Sequence, residues 1–148
     1  MDPKIDEQKR RLEILGNELT KLQFDFNLKH VPLKKYWESR IEEFKIYHEK
    51  VIEYFSQACL LMKVVDNDQS TIFLFRLGKL KQLGIKLIEN MEKVKENPSI
   101  MNTKDKQQSR WSLEIKEHLI NSNKDCLNHE KKMNVFFREF YEQKLKQK

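Results

Sequence analysis

The sequence predicts an all-α fold of four long antiparallel helices, packed as a helical bundle of the coiled-coil type. Three observations predict it. Apolar residues recur at alternating three- and four-residue steps along most of the chain, the rhythm that draws a seam down one face of a helix. The 148 residues contain only three glycines and three prolines, too few for the many turns of a β-rich fold. Charged residues make up 35% of the chain, a share suited to long helices with one wet face.

The length suits a single domain, 1–148, large enough to bury a core without disulfides or metals. Helices are expected at about 4–30, 33–65, 69–96 and 103–146, with residues 143–148 a frayed basic tail. In the first segment Asp2 precedes Pro3, the pairing of an N-cap with proline in the first turn. Ile5, Leu12, Leu15, Leu19, Leu22 and Phe26 then form a narrow seam. Gly16 weakens it, and Pro32 ends it by pushing the preceding residue out of α geometry.

The second segment has the strictest pattern. Trp37, Ile41, Phe44, His48, Val51, Phe55, Ala58, Met62 and Val65 follow 4-3-4-3 steps, and Tyr47, Tyr54 and Leu61 add a flanking row at sevens. Asp66 to Ser70 reads as a loop, with Asp68 or Ser70 capping the next helix. In the third segment Phe73, Leu77, Leu80, Leu87, Met91 and Val94 form the seam, with Gly84 as its small member. Ile72, Phe75, Leu83, Ile85 and Ile88 widen it, as in a helix that meets two neighbours. Asn97-Pro98-Ser99 ends it. The fourth helix is expected to start near Asn102 or Thr103. Its seam runs through Trp111, Ile115, Leu119, Ser122, Cys126, His129, Met133, Phe136 and Phe140, and Asn121-Ser122-Asn123 is expected to kink or break it. Loops of about three to seven residues make consecutive helices antiparallel. Either one chain closes the bundle, or another subunit completes it as a homo- or hetero-oligomer.

The net charge is +6, a balance that permits an acidic partner without demanding one. The N-terminus lacks an apolar leader region, and no run approaches the ~18 apolar residues of a membrane span. With two cysteines, Cys59 and Cys126, the expected setting is cytoplasmic or nuclear, with reduced thiols and an association with the cytoskeleton.

Candidate chemistry is sparse. His48 and His129 lie on seams, but neither has the glutamate three residues earlier that a di-metal bundle uses. Cys126, His129, His48 and Cys59 have the composition of a zinc site without its paired spacing. A phosphotransfer histidine would need exposure and a nearby glycine, and His48, His118 and His129 lack that glycine. There is no Gly-x-Ser-x-Gly, phosphate loop or dinucleotide fingerprint. The expectation is therefore of a non-enzyme without cofactor or metal.

Two surfaces stand out instead. Met133, Phe136, Phe137, Phe140 and Tyr141, with Phe24 and Leu28, form an aromatic surplus around the seams, expected to dock a partner. Arg76, Lys79, Lys86 and Lys93 fall within one ~100° arc of the third helix, in a stretch from Gln69 to Ile88 with no acidic residue. They form a basic ridge that would track phosphates or pair with acids on a neighbouring helix. The expected role is a coiled-coil subunit, scaffold or adaptor in a larger complex, cytoskeletal (spindle, centrosome) or tethering, with other helical proteins as partners. The alternatives are a nucleic-acid-associated helical protein, such as a chromosome or meiotic factor, and a secreted four-helix signalling ligand.

Overall fold

The computed structural model describes residues 2–102 and 109–146. It is an all-helical bundle, with no strand among the described residues. The helices are α1 (Pro3–Thr20), α2 (Lys34–Val65), α3 (Asn67–Glu96) and α4 (Arg110–Lys144), with a short 3-10 turn, Pro98–Met101, after α3. No described helix is long and apolar enough to cross a membrane. Of the two expected starts of the last helix, Asn102 instead ends the 3-10 turn and α4 begins at Arg110. Thr103 lies outside the described residues, as do the last two residues of the tail. The tail expected to fray from 143 is helical to Lys144 and buried at Leu145.

Cross-helix pairs set the direction of each element. Glu18 meets Lys50 at 2.7 Å, while Gln8 meets Gln57, so α1 and α2 run antiparallel. Cys59 meets Ser70 at 3.3 Å, while His48 abuts Gly84, so α2 and α3 do too. Arg76 stacks over Phe136 and Asn90 reaches Ser122, which turns α4 back against α3. The core follows the seams read from the sequence, with Trp37, Phe44, Phe55, Phe73, Leu80, Leu87 and Met91 fully enclosed. In α4 the expected seam residue Trp111 is instead exposed, and Glu130 and Phe137 are buried where the pattern points to His129 and Phe136. Ile100 and Met101, on the 3-10 turn, are buried as well.

Three boundaries differ from the sequence reading. First, α1 stops at Thr20, where the heptad pattern extends to Phe26. From there Leu22, Phe24, Phe26 and Leu28 alternate with Gln23, Asp25, Asn27 and Lys29, the period of an extended chain. Residues 21–33 form an extended strap, held by side chains that bond its backbone. Asn123 Nδ2 donates to the Phe26 carbonyl at 2.7 Å, Trp37 Nε1 to the Val31 carbonyl at 2.8 Å, and Arg40 to the Asp25 carbonyl. Lys29 N–H donates to the Tyr36 hydroxyl at 2.9 Å. A non-helical backbone beside a core needs such partners.

Second, one residue joins α2 to α3. Asp66 ends the first helix and caps the second, accepting from Gln69 N–H at 3.2 Å. That bond, with Lys144 at 3.3 Å, holds its carboxyl below the usual range. Asp68 and Ser70 lie inside α3, and Ser70 is buried against Cys59. Third, α4 passes through Asn121-Ser122-Asn123 unbroken. Ser122 Oγ donates to the Leu119 carbonyl at 3.1 Å and accepts from Asn90, while Asn123 reaches the strap.

Unequal lengths shape the surface. At about 1.5 Å per residue, α1 is about 27 Å long and α4 about 52 Å. The strap therefore covers what a full-length first helix would have covered.

Candidate functional site

The helices α1 and α4 meet differently from the other neighbours. Lys9 joins them at one end, donating to the Leu145 carbonyl at 2.8 Å with its ammonium 5.3 Å from the Tyr141 ring. Between there and the start of the strap, a groove of about 1260 Å³ separates them. Leu12, Gly16 and Leu19 supply its α1 wall, and Asn134, Phe137, Arg138 and Tyr141 its α4 wall. Tyr47 and Tyr54 of α2 also line it, and Phe24 of the strap closes the far end. The row of sevens through Tyr47 and Tyr54 thus faces the gap between α1 and α4. Gly16 keeps α1 close to α2, since a Cβ there would touch the Tyr54 ring at 3.3 Å.

The expected aromatic dock is distributed between core and groove. Met133, Phe137, Phe140 and Phe24 are buried within the chain, while Phe136, Tyr141 and Leu28 are half-buried against its core. Phe24, Phe137 and Tyr141 line the groove. Phe136 lies instead between Phe73, at 5.8 Å, and the Arg76 guanidinium, at 4.9 Å. Leu28 borders a smaller cavity of about 280 Å³ with Phe26, Trp37 and Leu119. Phe24 packs between Phe26 and Phe44 and under Arg40.

Behind the groove lies a buried polar cluster. The Tyr47 hydroxyl donates to Glu130 Oε2 at 2.6 Å, and Glu130 Oε1 has no partner among the described residues. Burial raises the Glu130 carboxyl above its usual range, outweighing the Tyr47 bond that lowers it. Burial and the nearby carboxylate raise the Tyr47 hydroxyl and push the Cys126 thiol up to about 12. Such a thiol is a poor nucleophile and metal ligand. Glu130 stands one heptad before the buried Phe137, a row one residue off the seam through His129 and Phe136 that the sequence pattern favours.

The histidines separate. His48 stacks on Phe44 at 5.1 Å, and burial pushes its pKa down to about 4. His129 Nε2 bonds the Arg76 carbonyl at 2.8 Å. Cys59 and Cys126 are both free thiols. Among the described residues no three His, Cys, Asp or Glu side chains come close enough to share a metal ion.

Of the basic ridge, Arg76 is half-buried through its contact with Phe136, and Lys79, Lys86 and Lys93 are exposed. Among the described residues none of these four cations forms an ion pair with an acid. Other cations do: Lys50 meets Glu18 and Glu53, and Lys95 meets Glu92. Neither a protein-family profile nor a curated protein nor a solved structure matches this chain.

Proposed function

We propose that this chain is a non-enzymatic subunit of a larger protein assembly, and that it holds a partner helix in the groove between α1 and α4. The observation that carries the reading is the groove itself. It is helix-sized: a rod about 10 Å across and about three turns long fills a similar volume. Its walls combine Leu12, Leu19 and Phe137 with three tyrosines, and Lys9, Glu13, Arg138 and Glu142 stand around them. Apolar anchors in the centre and polar groups at the rim are the composition of a helix-in-groove interface. A scaffold or adaptor role in a cytoskeletal or tethering complex is the setting this reading favours.

The test is site-specific photo-crosslinking in cells, with the photoreactive residue at Asn17 or Asn134 on the groove and at Glu53 on the outer face of α2. Groove positions should give discrete protein adducts whose linked peptides are amphipathic and helical, and Leu19→Glu should abolish them while leaving the circular dichroism helical. Equal adducts from Glu53, or adducts indifferent to Leu19→Glu, would remove the reading.

A further inference from the structure

We propose that the outer face of α3, from Ile72 to Lys86, is a second docking surface, and that it takes an acidic helix of a partner protein. No α3 residue lines the groove between α1 and α4, so this inference stands apart from the one above.

Phe75 is 80% exposed, the most exposed large apolar side chain among the described residues, and Ile72, one turn away, is 44% exposed. Gly78 continues this face, with nothing within 4 Å of where a Cβ would stand. It is a bare spot that a partner side chain can enter. Beyond it come Lys79 and Lys86, both exposed and without an ion pair among the described residues. Some exposed cations elsewhere are matched with acids, as at Lys144 with Asp66 and Lys146 with Glu142, and others, such as Lys45, Lys63 and Lys132, are not matched among the described residues. What marks this face is that its lysines stand beside an exposed phenylalanine on a stretch, Gln69 to Ile88, without an acidic residue.

Charge and shape select the occupant. Ile72, Lys79 and Lys86 are spaced by sevens, as are Phe75 and Gln82, which is the register in which one helix reads another. The single-sign strip is one helix wide. Both neighbours carry exposed acids among their cations, at Glu49 of α2 and at Asp125 and Glu139 of α4. A nucleic-acid duplex or an anionic bilayer presents negative charge over a wider front and would meet those acids. A single helix with carboxylates every seven residues and an apolar side chain for Phe75 meets only the lysines. The positive strip steers such a partner, and Phe75 supplies the apolar anchor.

The test uses the full chain and a displayed library of helical peptides about three heptads long. Selection should enrich peptides with Asp or Glu at seven-residue spacing and an apolar residue beside them. Individual winners should lose about tenfold or more in affinity toward Lys79→Glu/Lys86→Glu and toward Phe75→Ala. They should keep their affinity for the groove variant Leu19→Glu. Replacing the winners' acids by lysine should restore binding to the charge-reversed protein. All three positions are exposed, so circular dichroism should show every variant folded. Winners without an acidic excess, or winners that bind Lys79→Glu/Lys86→Glu as tightly as the parent, overturn the proposal. So does tighter binding to a short DNA duplex or to phosphatidylserine vesicles that depends on the same residues.

Discussion

Replacing Gly84 by alanine is a sharp test of how α2 and α3 fit together. A methyl group there would stand 2.5 Å from His48 Cε1 and 2.7 Å from Cδ2, and closer still to Nε2. Carbon atoms in contact sit about 3.5–4.0 Å apart, so the ring must recede by about 1 Å. It has little room, because it is buried and stacked on Phe44 with an interplanar angle of 21°. Overpacking of this kind costs about 1–3 kcal/mol, against a gain of about 1 kcal/mol from alanine's helix propensity. Gly78, on the same helix, provides the control. Nothing lies within 4 Å of its added carbon, so Gly78→Ala should stabilise by up to about 1 kcal/mol. Urea unfolding should place Gly84→Ala below Gly78→Ala by about 1–3 kcal/mol. In a His48→Ala background the obstruction is gone, and Gly84→Ala should then stabilise like Gly78→Ala. Equal stabilities for the two alanine variants of the parent chain would refute the close-approach argument.

Other outcomes follow from the buried polar groups. His48 titrates near 4 when folded and near 6.5 when unfolded, so its contribution is intact above the unfolded value. It is lost as pH falls from about 6.5 toward 4, amounting to about 3 kcal/mol at most. Glu130 works in the opposite sense, because its raised carboxyl gains a proton on folding and stability from it rises as pH falls. Denaturation curves across this window should therefore be steeper for Glu130→Gln than for the parent, and flatter for His48→Gln. The buried Cys126 thiol, held near 12, should resist iodoacetamide at pH 8 until urea unfolds the chain, which peptide mapping by mass spectrometry reads directly. Asn90 bridges α3 to α4 by donating to Ser122 Oγ at 3.0 Å and to the His118 carbonyl at 3.2 Å. Asn90→Ala should cost about 1–2 kcal/mol in chemical denaturation.

Much of this architecture is legible in the residue pattern, and the misreadings have physical causes. Helices α2, α3 and α4 run for thirty or more residues, long enough for a 3-4 rhythm to have one interpretation. At the end of α1 two rhythms overlap. Leu22 and Phe26 are four apart, which satisfies a helical seam and an alternating strap alike; only Phe24 and Leu28 decide between them, and they favour alternation. Asn121-Ser122-Asn123 suggests a break by intrinsic propensity. Tertiary partners override it, since Asn90 and the strap engage Ser122 and Asn123. The aromatic surplus is divided between the core and the groove wall, because the groove arises beside a first helix that stops early, and that has no local signature. The ridge lysines were visible in sequence, while their lack of acidic neighbours is a property of the packed helices.

The strap also has a spectroscopic consequence. Of the two tryptophans, Trp37 is sealed under residues 21–33 and bonded to the Val31 carbonyl, while Trp111 is 53% exposed. With Trp111→Phe, emission colour would come from the sealed indole alone. The strap's backbone bonds go chiefly to side chains, so this flank is able to lift without unwinding a helix. A red shift that precedes the loss of ellipticity would time that lifting as an event distinct from global unfolding.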